Sequence, residues 1–305
     1  MRQFNANHKT KLSVIIPCFQ QVSELSGCLE ALKEQTTKKP FEIIVVDSGN
    51  DPGVRTVASE FLGVRCITGK DHLYCGAAKH YGAIHAKGDY FAFTDSDCRP
   101  EKEWIEQAYK LMESGVKFAG GPILDALPWH LVSVSDNVLQ FSDFQSRRPV
   151  GPIKHIPGAN IIISKAAFFS SGGLPPLNSG DDVRLTINYN KLHKDPIFYS
   201  PKLRVRHIGR QTLAQFFSHQ HGFGKVRGEM GLFLSKKQIR FGSKLSMLPA
   251  VVLKRYAYII SRSMQFDLRR FIRDVLLTPI LILGLTAYAV GFQIGCKLNI
   301  SSRTG

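Results

Sequence analysis

The sequence predicts an α/β chain with an open sheet and helices on both faces, followed by a C-terminal helical segment associated with a membrane, and three observations carry that prediction. Short apolar runs without polar alternation recur at Leu12 to Ile16, Glu42 to Val46, Val64 to Ile67 and Tyr90 to Thr94, the pattern of parallel strands covered on both sides. Stretches of helical period separate them. Val275 to Cys296 contains no charged residue. With 44% hydrophobic and 21% charged residues in 305, the composition excludes a disordered or collagen-like chain.

Met1 to Lys11 lacks the apolar core of a secretory leader and reads as a polar lead-in. Ser23 is placed to cap a first helix with Leu25, Cys28, Leu29 and Leu32 on one face. A helix over Gly76 to Lys87 carries Ala77, Ala78, Tyr81 and Ile84 inward, with Gly88 closing it. Pro100 is suited to open a helix bearing Trp104, Ile105, Ala108, Leu111 and Met112. Strand–helix alternation of this kind builds βαβ units. Ligands of such sheets sit beyond the carboxyl ends of the strands. That draws attention to Pro17, to Asp47-Ser48-Gly49 and to Asp95-Ser96-Asp97.

Charge is unevenly placed. Of 40 Lys and Arg and 24 Asp and Glu, the stretch from Pro201 to Gly305 holds 18 and 3, a balance of +15 in a total of +16. Val275 to Cys296 would span roughly 33 Å as a helix, enough for a hydrocarbon core of about 30 Å. Lys254, Arg255, Arg262, Arg269, Arg270 and Arg273 precede it and only Lys297 and Arg303 follow, which places the preceding part on the cytoplasmic side. A buried core helix is the other reading of this stretch. Met247 to Ile260 is too charged to cross and suits the interface. Net charge alone would suggest a nucleic-acid binder, but the cations cluster beside an apolar span and no binding motif accompanies them, so no nucleic-acid partner is expected. The six cysteines show no CxxC or zinc spacing, and a reduced, cytosolic setting follows.

Asp95 and Asp97 bring two carboxylates to one strand tip, where oxygen ligands suit Mg²⁺ or Mn²⁺; capping of the following helix by Asp97 is the plainer alternative. The ordered set Ser13 to Pro17, Glu42 to Gly49 and Gly88 to Asp97, continued by Gly172-Gly173-Leu174 and Asp181 to Leu185, resembles the family 2 glycosyltransferases over about the first two-thirds of the chain. The resemblance implies a GT-A fold, a Rossmann-like open mixed sheet, over 12–230; charge and apolar run length place after it a basic interfacial region at 231–274, a transmembrane helix at 275–296 and a short tail at 297–305. It also implies inverting, metal-assisted transfer of a sugar from a nucleotide-diphosphate donor, and the apolar span with its basic collar suggests a glycan or lipid-linked acceptor.

Carried over residue by residue, the resemblance gives Asp47 a nucleobase contact, Asp95 a ribose or metal-water contact and Asp97 the metal, with Pro17 beside the donor. For Asp47, a turn role in Asp-Ser-Gly-Asn-Asp is the alternative. Lys79 and His80 stand where the family carries Arg and Asn; Lys79 offers a phosphate a point charge without the Arg fork. Asp182 is the expected base, Asp181 replacing the family's usual Glu beside it, and adjacent carboxylates raise one pKa. Asn160 and Asp181 are assigned to the acceptor side, and His207 is a candidate third metal ligand. His219, His221, Lys225 and Arg227, interspersed with glycines, suggest a mobile loop over the diphosphate or a basic surface. The Gln-x-x-Arg-Trp signature of processive members is absent, which favours one sugar per encounter. A nucleotide-sugar-binding membrane scaffold without turnover is the alternative function.

Overall fold

The computed structural model describes residues 11–69, 72–177, 180–231 and 234–301. The lead-in before Lys11 and the tail after Ser301 lie outside them. The chain forms two compact units: one runs to Leu124 and resumes over Pro149–His207, and the other comprises Asp125–Arg148 and the chain from Ile208. The boundary thus follows His207, and residues 208–230 group with the C-terminal helices.

In chain order the first unit begins β1 (Leu12–Cys18), α1 (Val22–Lys33), β2 (Phe41–Asp47), α2 (Pro52–Ser59), β3 (Val64–Thr68), α3 (Cys75–Ile84), β4 (Tyr90–Phe93), β5 (Cys98–Pro100), α4 (Trp104–Glu113), β6 (Phe118–Gly120) and β7 (Ile123–Asp125). The excursion into the second unit carries α5 (Leu131–Phe141). The first unit then resumes with β8 (Gly151–Ile153), β9 (Ile161–Ser164), α6 (Lys165–Ser170), α7 (Asp181–Leu192), β10 (Ile197–Tyr199) and β11 (Val205–His207). The remainder is helical: α8 (Leu213–Met230), α9 (Lys236–Gly242), α10 (Leu248–Phe266), α11 (Leu268–Leu276) and α12 (Thr278–Ser301).

All four apolar runs are strands. They pair in parallel in the order β3-β2-β1-β4, with Ile15 opposite Ile44 on one side and Phe93 on the other. The sheet then turns mixed, continuing β9-β6-β10-β8 with β9 antiparallel to both β4 and β6. A smaller sheet runs β5-β11-β7. Pro17 fits near the end of β1 because Ile15 faces β4, accepting from Thr94 N, while Cys18 accepts from Ser48 N on the β2 side. The missing N–H of Pro17 therefore points where the β4 ladder has already ended.

Three local expectations change. Ser23 does not cap α1, which starts at Val22 after Gln21 and has no side-chain cap; the Ser23 hydroxyl donates to Glu24 instead. Pro100 ends β5 rather than opening a helix, and α4 starts at Trp104, since Pro100 pairs with Val205 of β11. The third helix presents a different face: Gly76, Ala78, Lys79, Gly82 and Ala83 are buried while Ile84 is exposed. A Cβ at Gly82 would stand 2.5 Å from Ile15 Cγ2 and 3.0 Å from Val46 Cγ2. Close seating on β1 and β2 selects small residues over bulky apolar ones.

In the second unit, α8 and α12 run side by side in one direction, from Phe216 beside Gly284 to Gly231 beside Asn299. Their backbones meet at glycines. A Cβ at Gly224 would meet Tyr288 O, one at Gly291 would meet His221 O and one at Gly295 would meet Lys225 O. The basic segment His219 to Gly228, expected as a mobile loop or a basic surface, is regular helix, with Gly224 and Gly228 in the seam and Lys225 exposed. Phe216, Val134, Val138, Leu139, Leu281 and Leu285 fill the adjoining core. Among the described residues, α12 is the one helix long and apolar enough to cross a membrane, and 56% of its most apolar window is buried within the chain.

Helix propensity favours Ala over Gly everywhere along these helices, so the seam makes a discriminating test. Gly291→Ala should lower stability by about 2 kcal/mol or more, because its methyl would enter backbone rather than a flexible side chain. Gly222→Ala on α8, with open space at its Cβ position, should instead be neutral or stabilising by up to about 1 kcal/mol. Denaturant midpoints of the two variants check this.

Candidate active site

Acidic side chains at the strand tips are joined by one buried cation. Asp95 follows β4, and its Oδ1 lies 2.6 Å from Lys79 Nζ. Lys79, on the inner face of α3, is 1% exposed and donates its second hydrogen bond to the carbonyl of Gly158 at 2.8 Å. The amide of the same Gly158 donates to Asp182 Oδ2 at 2.9 Å. Asp182 Oδ1 accepts from Val183 N at 2.7 Å, inside the first turn of α7. A line of polar contacts therefore runs Asp95, Lys79, Gly158, Asp182. Burial by itself would push the Lys79 ammonium down, but its neighbours, the carboxylate of Asp95 foremost and that of Asp181 with it, together outweigh burial and carry the group above the ordinary lysine range.

Asp181 stands against the N-terminal end of α3. A Cβ at Gly76 would fall 2.6 Å from Asp181 Cβ and 2.8 Å from its carboxyl, so a side chain at 76 would push the two helix starts apart. Burial, reinforced by the charge of Asp182 and partly offset by Lys79, pushes the Asp181 carboxyl up to about 7. The pair thus behaves as adjacent carboxylates should, with the perturbed member being Asp181. His155 Nε2 approaches Asp182 Oδ2 at 3.9 Å.

Asp97 is almost buried, and His207 Nε2 on β11 lies 3.5 Å from its Oδ2. The antiparallel pairing of β11 with β5 sets His207 opposite Cys98 and so brings it to the Asp97 tip. Asp95, Asp97 and Cys98 offer ligand atoms within 4.8 Å of one another. The sulfur of Cys98 is a soft donor and suits thiophilic metals rather than hard cations. The remaining donors are two carboxylates and an imidazole, a set that fits a hard or borderline divalent cation such as Mg²⁺ or Mn²⁺.

A model of the family described as "Glycosyl transferase family 2" matches residues 13–167, just over half of the chain. The chain belongs to that family. Among curated relatives, it is 26% identical over 182 residues to the glycosyltransferase AglE of Haloferax volcanii, covering 57% of this chain and 60% of that protein. It is 32% identical over 104 residues to the chondroitin synthase of Pasteurella multocida, covering 32% of this chain and 11% of that enzyme. The chain thus spans less than two-thirds of the length of either relative. Among solved structures, the mannosyltransferase PcManGT from Pyrobaculum calidifontis, in complex with GDP-Man and Mn²⁺, matches with a TM-score of 0.61 at 13% identity over 97% of this chain and 89% of that one. S. aureus TarS in complex with UDP-GlcNAc matches at 0.54 with 15% identity, over 97% and 92%. Likeness at these identities carries the fold, and the expected GT-A architecture of an open mixed sheet between helices is the one observed.

Several of the expected site residues also make contacts within the scaffold. Asp47 is fully buried: Oδ1 accepts from Gly49 N and Asp51 N, and Oδ2 pairs with Arg55 at 2.9 Å. That is the turn role, with an added ion pair. Pro17 is buried in β1. Asn160 is 0% exposed; its amide donates to Pro122 O and Leu203 O, and its carbonyl accepts from Trp104 Nε1. It ties the start of β9 to α4 and to the segments after β6 and β10. Lys79, expected as a point charge for phosphate, is already committed to Asp95 and Gly158.

One exposed feature was not read from the sequence. Phe19 after β1, and His72 and Tyr74 before α3, form an aromatic row with ring centroids 4.6 and 5.4 Å apart. The row is pinned to the β2 tip by Ser48 O, which accepts from Leu73 N and lies 3.2 Å from His72 Nδ1. Its members are scattered in sequence, so only the sheet order could reveal it.

The raised Asp181 carboxyl has a consequence for stability. Its contribution is fully present below pH 3.8, its ordinary value, and is lost as pH rises to about 7, because the folded chain resists ionising it. Asp181→Asn removes the titration. Melting temperatures across that window should show the wild type falling relative to the variant as pH increases; parallel curves would contradict the assignment.

Proposed function

We propose that the chain transfers a sugar, with inversion, from a nucleotide-diphosphate donor to a hydroxyl of a glycan or lipid-linked acceptor, at the cytoplasmic face of a membrane. The line of contacts from Asp95 through Lys79 and Gly158 to Asp182 is the observation that supports this most. It holds a cation-binding carboxylate and a separate, oriented carboxylate in one cluster, and inverting transfer uses two such groups. The nucleotide sugars bound by PcManGT and TarS support the donor class.

In this reading the exposed rings of Phe19, His72 and Tyr74 offer the nucleobase a stacking surface. Asp95 and Asp97, with His207 beside them, would hold a divalent cation, which supplies charge stabilisation to the departing diphosphate. Asp182 removes the proton of the acceptor hydroxyl. Its two backbone donors fix the carboxylate's orientation while leaving lone pairs for that proton. Lys79, held by Asp95, keeps the two ends of the cluster at a set distance.

Attachment to the membrane falls to the C-terminal helices. The inner face of α12 is taken by α8, on which Lys225 and Glu229 remain exposed. Lipid would therefore meet the outer stripe of α12, Leu283, Val290, Ile294 and Leu298. The cations that precede it keep the chain on the cytoplasmic side.

Transfer or donor-hydrolysis assays test the chemistry. Asp182→Asn should lower kcat by about 10²–10⁴-fold with little change in donor KM. Asp97→Ala should abolish the dependence of rate on added Mn²⁺ or Mg²⁺. Full activity in both variants would refute the mechanism.

A further inference from the structure

The helix α11 is built inside out. On its helical wheel, Leu268, Ile272, Val275 and Leu276 share one face and Arg270, Arg273 and Asp274 the other. A helix of a water-soluble unit buries the apolar face. Here Leu268, Ile272 and Leu276 are 63%, 55% and 76% exposed, while Asp274 is 0% exposed.

The polar face is the one bolted down. Arg273 pairs with Asp125 and with Asp274, Asp274 accepts from Ser263 Oγ of α10, and Arg270 lies 3.7 Å from Asp274 with a nearly buried side chain. Asp267 caps the helix, accepting from Arg269 N and Arg270 N. Rotating α11 to hide its leucines would break every one of these contacts, so the apolar face is held outward by its own ion pairs.

We propose that α11 docks the chain on an anionic phospholipid surface, with Leu268, Ile272, Val275 and Leu276 entering the headgroup–acyl boundary. The proposal rests on the membrane reading given above and names the surface responsible. Exposed Arg269 lies next to Leu276 on the wheel, at the rim of the apolar face. It belongs to a segment from Pro201 onward that carries +15. An exposed cation at the rim of an apolar strip, on a segment of net positive charge, matches a negatively charged leaflet. The same charge disfavours a second copy of this chain as the occupant, because two such faces would bring like charges together.

Sedimentation of the full chain with vesicles tests this. Wild type should bind mixed phosphatidylcholine–phosphatidylglycerol vesicles, and Ile272→Ser/Leu276→Ser should bind about tenfold more weakly or worse. Donor turnover in solution should be the same in both, since α11 takes no part in the acidic cluster. As a local readout, Ile272→Trp in a Trp129→Phe background should show a blue-shifted emission when anionic vesicles are added. Equal binding of the serine variant, no spectral shift at position 272, or equal binding to pure phosphatidylcholine would each overturn the proposal. So would conversion of a dimer to a monomer by the serine substitutions with vesicle binding intact. Failure of the transferase reading would appear separately, as unchanged turnover in Asp182→Asn with normal vesicle binding.

Discussion

A single buried ammonium organises the acidic cluster. Two carboxylates at a strand tip and two more at a helix start repel one another, and the chain would hold them near each other only at a cost unless a positive charge stood among them. Lys79 is that charge. With 1% of it exposed, it has no water to turn to, so its partners are fixed: the Asp95 carboxylate and the carbonyl of Gly158. Because Gly158 is also the donor to Asp182, the position of one carboxylate is transmitted to the other through two hydrogen bonds and one peptide unit. The small residues of α3, Gly76 and Gly82 above all, let the helix sit low enough on the sheet for Lys79 to reach.

The second unit solves a different problem with related means. Glycines on α8 and α12 bring two backbones into contact, which allows an apolar helix to be covered by a polar one without a layer of large side chains between them. The buried Asp136 on α5 strengthens the same unit. It accepts from Gln140, Gln220 and the backbone of Arg210, and lies 3.0 Å from His219. Burial alone would raise this carboxyl, but the hydrogen-bonding partners, His219 foremost, hold it below the usual range. With the carboxylates of Asp136 and Asp274 satisfied inward, the unit can leave apolar surface on α11 and α12 outward.

Much of the fold was legible because its signals are local. The runs at Leu12, Glu42, Val64 and Tyr90 are strands because continuous apolar stretches of that length have few other solutions, and the Asp95-x-Asp97 pair was found because it follows one of them. Legibility failed where burial was decided by neighbours distant in sequence. Lys79 read as a surface lysine or phosphate contact, although its position on the face of Gly76, Gly82 and Ala83 was a signal in hindsight. The turn bonds of Asp47 were legible in Asp-Ser-Gly-Asn-Asp, whereas its ion pair with Arg55 and the bonds of Asn160 to Pro122, Leu203 and Trp104 join residues whose closeness no spacing reveals.

By itself the amino-acid order determined the parallel half of the sheet, the acidic strand tip, the paired Asp181 and Asp182 and the concentration of cations in the last third. These follow from short-range pattern and composition. Tertiary structure alone decided which carboxylate has its pKa raised, which lysine is buried, and that α11 turns its leucines outward. Those outcomes depend on which charges lie within a few ångströms of each other after the chain has closed, and electrostatic and burial energies are set by that distance rather than by separation along the sequence.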